Sequence, residues 1–401
     1  MISQFYPINF VLTPTIIVVM AYFAVWFISM LRCIGYRRLA KGVRQDVKNE
    51  TGRLVPVSIV VTTQNEYPLL RERLHLFLEQ AHPCFEVIVV DMNSQDETSH
   101  FLEEATLYYP NLHVCTLPSA YKDISPEQLA LTLGLRSAQY DWVLFTDISC
   151  QPVSSHWLQQ MTSRCAEGIH MVLGFTRYQN VKGWTGLRYR FFRTWQQMLN
   201  LTHAKRYRAY RANPTNLCYY KPAFLAHKGF ADAATLQNGF TDIMVNRYST
   251  QQNTAVCLHP DSFMLQDCPN TSSMWEHDRV FFMETRRHLP HHIGYRLRYA
   301  GSEILTWTHT LVFLCAIGVT LLLNLPLNVL QGQIALGTLI ALWFIHFCWR
   351  THEFHLTLRA LGEPSMHLSL PLLLHLVVKW DITAWTRHLF TNKNIFRKKF
   401  M

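Results

Sequence analysis

Charge is what this chain has little of. Only 16% of its 401 residues are Asp, Glu, Lys or Arg, where a soluble domain carries roughly a quarter. Hydrophobic residues make up 49%, and the deficit in charge points to membrane contact. Cysteine pairing is absent too. The ten cysteines contain no CxxC pair, so neither a zinc site nor a disulfide framework is indicated, and reduced thiols facing the cytosol are expected. No GxGxxG follows the first strand pattern, which argues against a dinucleotide dehydrogenase. No basic helix or zinc spacing typical of DNA readers is found, so nucleic acid is not expected as a partner. The formal charge of +10 instead suits phospholipid headgroups, nucleotide phosphates or a phosphorylated lipid.

Long apolar runs are what the chain does have. Residues 10–31 carry no charge until their end and are long enough to cross a bilayer. Pro14 stands near the start of this run, where a helix tolerates it, and no small-residue cleavage site follows, so the run reads as an uncleaved anchor. Arg32, Arg37, Arg38, Lys41, Arg44, Lys48 and Arg53 come next, which by the positive-inside rule makes this flank cytoplasmic. Residues 304–325 and 327–349 are two further spans, hinged around Asn324-Leu325-Pro326. So short a hinge predicts an antiparallel helical hairpin that returns the chain to the side where Arg350 and Arg359 stand. His309 and His346 lie inside these spans, and a hydrogen bond between helices is their expected role. Residues 367–378, interrupted by Pro371, are too short to span comfortably and read as a re-entrant or surface-lying segment before the basic tail Arg397-Lys398-Lys399.

Between the apolar runs, strand and helix patterns alternate. Residues 57–62 read as a strand, followed by the polar turn Gln64-Asn65-Glu66. Leu70, Leu74, Phe77 and Leu78 recur at a helical period over 69–80. Residues 85–90 are the next strand, 97–108 a helix, 113–115 a short strand and 127–138 a helix. The chain is organised around residues 141–152. There Trp142, Val143, Leu144 and Phe145 read as a strand buried on both faces, and they deliver Asp147 at its C-terminal end. This rhythm predicts an α/β fold with a doubly wound, mostly parallel sheet, whose ligands bind outside the carboxyl ends of the strands. A carboxylate placed there suits a divalent cation and, through it, a diphosphate.

Residues 57–65, the run Val89-Val90-Asp91-Met92-Asn93-Ser94-Gln95-Asp96, residues 144–152 and Gly239-Phe240-Thr241-Asp242 carry a resemblance. In this order they look like the family 2 inverting glycosyltransferases of GT-A fold, in the membrane-anchored bacterial form. The resemblance implies a division into a transmembrane anchor (1–31), a basic cytoplasmic linker (32–54), a GT-A-like domain (55–300), a transmembrane hairpin (303–350), and a short interfacial or re-entrant helix with the basic tail (351–401). It implies an integral inner (plasma) membrane protein with a cytoplasmic catalytic domain. The implied reaction moves a sugar, with inversion, from a nucleotide-sugar donor to a lipid or lipid-linked glycan acceptor. A catalytically decayed scaffold is the rival reading and a transporter a distant third.

Site residues follow from the same resemblance. Thr63, Asn65, Glu66, Asp91, Ser94 and Asp96 would shape the nucleotide pocket, with Asp91 accepting hydrogen bonds from the base or ribose. Asp147 would be the first carboxylate of the DxD motif and, with Ser149, the site of Mg2+ or Mn2+. Asp242 would be the general base that takes the acceptor hydroxyl's proton. Asn213, Asn216 and Thr241 would line the acceptor cleft, and Arg287 would grip phosphate through its planar fork of donors.

The departures are equally legible. Ser149 stands where the family carries its second acid, Gln128 where relatives carry a Lys, and Thr241 where an acid precedes the base. The late (Q/R)xxRW signature is matched either by residues 284–288 or by 275–279. Residues 188–211 mix arginines with Tyr189, Phe191, Phe192, Trp195, Met198, Leu199 and Tyr207, a composition that suits a helix at the membrane interface or one packed on the sheet.

Overall fold

A computed structural model describes residues 14–33, 35, 37–48, 52, 54–117, 125–234, 236–269, 271–323, 330–366, 369–392 and 395–396. Parts of the sequence reading lie outside these residues: the hinge Asn324-Leu325-Pro326, the tail Arg397-Lys398-Lys399, Arg53, residues 10–13 of the first apolar run and residues 367–368 of the last. The elements in chain order begin with α1 (Pro14–Cys33), α2 (Arg37–Lys48), β1 (Val57–Thr63), α3 (Tyr67–Leu78), β2 (Phe85–Asp91), α4 (Thr98–Tyr108), β3 (Leu112–Thr116), α5 (Pro126–Ser137) and β4 (Trp142–Asp147). They continue with β5 (Cys150–Pro152), α6 (Trp157–Thr162), β6 (Met171–Leu173), β7 (Thr176–Gln179), α7 (Gly183–Arg206), β8 (Leu217–Tyr220), α8 (Lys221–Ala226), α9 (Phe240–Tyr248), β9 (Thr254–Val256) and β10 (Met264–Asp267). Four helices close the chain: α10 (Ser272–Thr285), α11 (Ile293–Leu323), α12 (Leu330–Ala360) and α13 (Ser369–Phe390).

The described residues divide into two compact units. One is drawn from residues up to Arg38, from 298–359 and from 364–378; the other from 39–297, 360–363 and from 379 onward. The second unit carries the expected α/β fold. Its main sheet runs β3-β2-β1-β4-β8-β6-β9. β3, β2, β1 and β4 are parallel, and β8 is antiparallel to both of its neighbours. β1 and β2 are buried almost throughout, as continuous apolar strands must be when helices cover both faces. Leu70, Leu74, Phe77 and Leu78 of α3 pack into this core with Trp157. Pairing sets Thr63 opposite Asp91 and Thr62 opposite Asp147, so β1, β2 and β4 end on one edge of the sheet. A small sheet, β5-β10-β7, follows directly after that edge.

The first unit holds most of the long apolar helices. Among the described residues, three helices are long and apolar enough to cross a membrane: Pro14–Leu31, Ile293–Leu323 and Gly332–Ala360. Tyr22, Ala316 and Leu339 form their common core. His309 Nε2 meets the Tyr22 hydroxyl at 3.1 Å and His346 Nε2 meets Ser29 Oγ at 2.8 Å. Both histidines thus join helices, as the sequence reading expected. An Arg37–Glu353 ion pair adds a further tie between α2 and α12. The last apolar stretch departs from the expectation of a short segment: it opens the 22-residue helix α13. Pro371 sits in the first turn of that helix, where the N–H it lacks would have no intrahelical partner.

Candidate active site

A cavity of about 690 Å³ opens at the carboxyl ends of β1 and β4. Thr62, Asp147 and Ser149 line it from the sheet, Phe192, Arg193 and Asn200 from α7, Asn213 from the loop before β8, Thr241 and Asp242 from α9, and Trp275, Asp278 and Arg279 from α10.

Asp147 reaches the cavity because β4 stops there and the chain turns sharply into β5. Its Oδ1 accepts the Ser149 N–H at 2.9 Å and also the Ser149 hydroxyl. Ser149 therefore serves as a brace for Asp147 and supplies no carboxylate of its own. Burial pushes the Asp147 pKa up, against the lowering effect of these bonds. The turn is held from behind by Arg73 of α3, a nearly fully buried arginine. Its guanidinium donates to Ser149 O at 2.6 Å and to Asp267 Oδ2 at 2.5 Å. The replacement Arg73→Met keeps the volume, removes both ties and strands the Ser149 carbonyl. We expect a stability loss of about 2 kcal/mol, below the figure for a fully buried pair because Asp267 is partly exposed; chemical denaturation of the purified protein measures it.

Asp242 stands in the first turn of α9. Its Oδ2 pairs with Arg211 Nη2 at 3.0 Å, its Oδ1 is buried, and the Ala212 N–H also bonds the carboxyl group. Burial raises the Asp242 pKa and Arg211 pulls against that rise. The helix starts at Gly239, whose φ of 83° favours glycine. A Cβ there would collide with Thr285 Oγ1. Gly239→Ala should therefore destabilise by at least about 2 kcal/mol and displace the turn that carries Asp242. The check is a lowered Tm together with a fall in kcat.

The cavity's charges leave a definite remainder. Arg211 is paired with Asp242, and Arg279 with Asp381 at 2.7 Å. Among the described residues, Glu66, Glu127, Asp147 and Asp278 have no ion-pair partner within 4 Å. Arg193 is the sole cavity arginine in the same condition. Enclosure in the cavity wall raises the Glu66 and Glu127 pKa values, and the charge of Asp147 raises them further. Arg193 lies 4.5 Å over the ring of Tyr178 and donates to its hydroxyl at 3.1 Å.

Not every expected residue reaches this cavity. Asp91 lies behind it, with Oδ1 taken by Ser94 N (2.9 Å) and Oγ (2.6 Å), and Oδ2 by Ser99 Oγ (2.8 Å). These three bonds hold the β2–α4 loop. Asn65 and Ser94 knit the same loops together, Asn65 N donating to Ser94 Oγ at 2.9 Å. Asp96 accepts from Tyr67 N and Thr98 N, both at 3.1 Å. Thr63 is buried and donates to Glu66 at 3.4 Å. Of the six residues given to the nucleotide pocket, only Glu66 lines the cavity.

Two further expectations are corrected. Asn216 is buried as a core pin: its amide donates to Phe175 O and Ser262 O, each at 3.0 Å, and accepts from Trp157 Nε1 at 3.1 Å. Nothing is left over for an acceptor. Arg287 is 62% exposed, leans on Glu284 at 3.7 Å and lies outside the cavity. The competing match, residues 275–279, is the one that supplies Trp275, Asp278 and Arg279. Likewise α7 is no interfacial helix. Tyr189 stacks on Trp275 at 4.6 Å and Phe192 meets Trp380 at 5.8 Å, so its aromatic side is buried inside the second unit. Asn213 and Thr241 do line the cavity.

Arg73, Glu127, Arg193, Asn200, Arg211 and Asp278 were not singled out as site residues from the sequence. Their signals were weak: lone polar side chains on helices or loops that pattern alone leaves on a solvated face.

Residues 58–228 match the family described as glycosyl transferase family 2. The chain carries a family 2 glycosyltransferase domain. Solved structures were compared as well. A mannosyltransferase from Pyrobaculum calidifontis, in complex with GDP-Man and Mn2+, is 18% identical with a TM-score of 0.45, over 86% of this chain and 97% of that one. S. aureus TarS 1-349 in complex with UDP-GlcNAc is 17% identical with a TM-score of 0.42, over 83% and 90%. No curated protein matches the sequence. The assignment rests on the family match over residues 58–228.

Proposed function

We propose that this glycosyltransferase moves a sugar, with inversion, from a nucleotide-sugar donor to a lipid or lipid-linked glycan acceptor at the cytoplasmic face of the inner membrane. The observation that carries the reading is that Asp147 and Asp242, from segments nearly a hundred positions apart, line one cavity at the carboxyl end of the sheet. The three apolar helices support the membrane location.

In this reading the Asp242 carboxylate accepts the proton of the acceptor hydroxyl as that oxygen attacks the anomeric carbon. The bond from the anomeric carbon to the diphosphate breaks, and the electron pair leaves with the diphosphate. Arg211 holds the carboxylate in place by occupying Oδ2.

The donor set fits a divalent cation. Four carboxylates without ion-pair partners face a single such arginine, a field that would repel a diphosphate unless a cation accompanied it. Among the described residues no group of three His, Cys, Asp or Glu is set to hold a metal unaided. Asp147 is the residue that would hold Mg2+ or Mn2+, since Mg2+ is commonly bound through one or two carboxylates together with its substrate. When bound, such a cation neutralises charge growing on the leaving diphosphate.

The test is thermal unfolding of the full chain with UDP- and GDP-sugars, with and without Mn2+. One donor plus Mn2+ should stabilise by about 2.7 kcal/mol at a hundredfold excess over Kd, while Mn2+ alone does little. No shift with any donor would overturn the reading.

A further inference from the structure

Two of the cavity's arginines are neutralised, each by an acid from a different part of the chain. Arg211 pairs with Asp242, a carboxylate of the α/β domain. Arg279 pairs at 2.7 Å with Asp381, which stands beyond α11 and α12, in α13, and itself lines the cavity. Arg279 and Asp381 both lie outside the stretch matched to the family, residues 58–228, so the family match does not account for the pair. The Arg279 side chain is only 7% exposed, and its guanidinium lies over the rings of Phe192 and Trp275. It shares the cavity with Glu66, Glu127, Asp147 and Asp278, acids without an ion-pair partner among the described residues. Its charge nonetheless goes to Asp381.

Asp381 is not what seats this part of α13. Trp380 packs against Phe191, Phe192 and Trp275 with ring centres 6.4, 5.8 and 5.7 Å apart. His388 meets Glu284 at 2.7 Å, and Arg387 pairs with Glu276. Loss of the Asp381 charge therefore leaves the helix in place and changes only the partner of Arg279. A guanidinium this far out of water needs a counter-charge, and the unpaired acids of the same cavity would supply it. Arg279 would then compete for them with a divalent cation, because opposite charges attract strongly where the effective dielectric is low. Resting on the reading of a cation at Asp147, we propose that Asp381 is a positioning residue. It holds Arg279 and so withholds that charge from Glu66, Glu127, Asp147 and Asp278, leaving their field to the cation that accompanies the donor diphosphate.

The full-length chain in detergent micelles is titrated with Mn2+ in excess UDP or GDP, and thermal unfolding gives the Mn2+ concentration at half-maximal stabilisation. Unfolding without Mn2+ reports that each variant is folded. Asp381→Asn should raise the Mn2+ midpoint about tenfold, the scale on which one nearby opposite charge alters a carboxylate's affinity for a proton. Asp381→Glu, which keeps the charge, should titrate as the wild type does. The double variant Asp381→Asn/Arg279→Met retains an apolar stem between the rings and removes the competing charge, so it should return the midpoint to the wild-type value. A residue that served the fold alone would leave the double variant at least as impaired as the single one, and that result overturns the proposal. So does an Asp381→Asn midpoint equal to the wild type. If Mn2+ stabilises the wild type with neither nucleotide, the cation reading falls and this proposal falls with it.

Discussion

Asp242→Asn is expected to lower kcat by about 10²–10⁴-fold, the span attributed to a positioned general base, while donor binding survives. The substitution keeps shape and removes only the ability to take a proton. Donor-induced stabilisation with Mn2+ should therefore persist in a variant that no longer turns over. Unchanged turnover would show that another group, Glu127 or Asp278 among the cavity's acids, is the base. A pH profile adds a second, independent reading. The working form of Asp242 is the carboxylate, so activity is present above its pKa and is lost as pH falls through it. Burial raises that pKa, so the acid limb of kcat/KM should lie above the ordinary carboxylate range. Arg211 favours the charged form through its 3.0 Å ion pair. Arg211→Gln should accordingly move the limb to still higher pH. A limb at the usual carboxylate value, indifferent to Arg211, would separate Asp242 from the rate.

The second large effect is expected at Asp147. Asp147→Asn should reduce turnover by about 10²–10³-fold, the scale on which one electrostatic stabiliser of a transition state is removed, and should also erase the Mn2+-dependent part of donor stabilisation. The reasoning is local. Ser149 hydrogen-bonds Asp147 instead of standing beside it as a second acid, so no neighbouring carboxylate in the turn takes over when Asp147 is neutralised. Ser149→Asp runs the other way: a second carboxylate at this position should tighten Mn2+ dependence. A Mn2+ titration of Tm separates the two variants, and an Asp147→Asn protein with wild-type metal response would place the cation elsewhere.

Much of the scaffold could be read ahead of the structure. The continuous apolar runs and helical periods over residues 57–147 placed β1, α3, β2, α4, β3, α5 and β4 within a few residues. Runs such as Val87, Ile88, Val89 and Val90 have one stable environment, the middle of a covered parallel sheet. Asp147 was legible for the same reason: a carboxylate directly after such a run must emerge at the strand's end. Asp91, which the same logic placed at the nucleotide, does not line the cavity. It too ends a strand, yet Ser94 and Ser99 come back to bond it, and a hydroxyl three or eight positions on has no periodic signature. Arg287 and Arg279 show the limit more sharply. Both stand in basic, aromatic surroundings, and only the direction of α10 puts Arg279 over Phe192 and Trp275, at 4.1 and 4.7 Å, while Arg287 is left in solvent.

The sequence by itself determined the α/β class, the mostly parallel sheet, the apolar helices and the place of Asp147 at a strand end, because burial patterning and charge exclusion are properties of neighbours along the chain. Tertiary structure alone decided which polar side chains share the cavity. Arg193 and Asn200 of α7, Arg211 of the loop before β8 and Asp278 of α10 meet there, and whether each one faces ligand, ion-pair partner or water depends on distances between segments far apart in the chain.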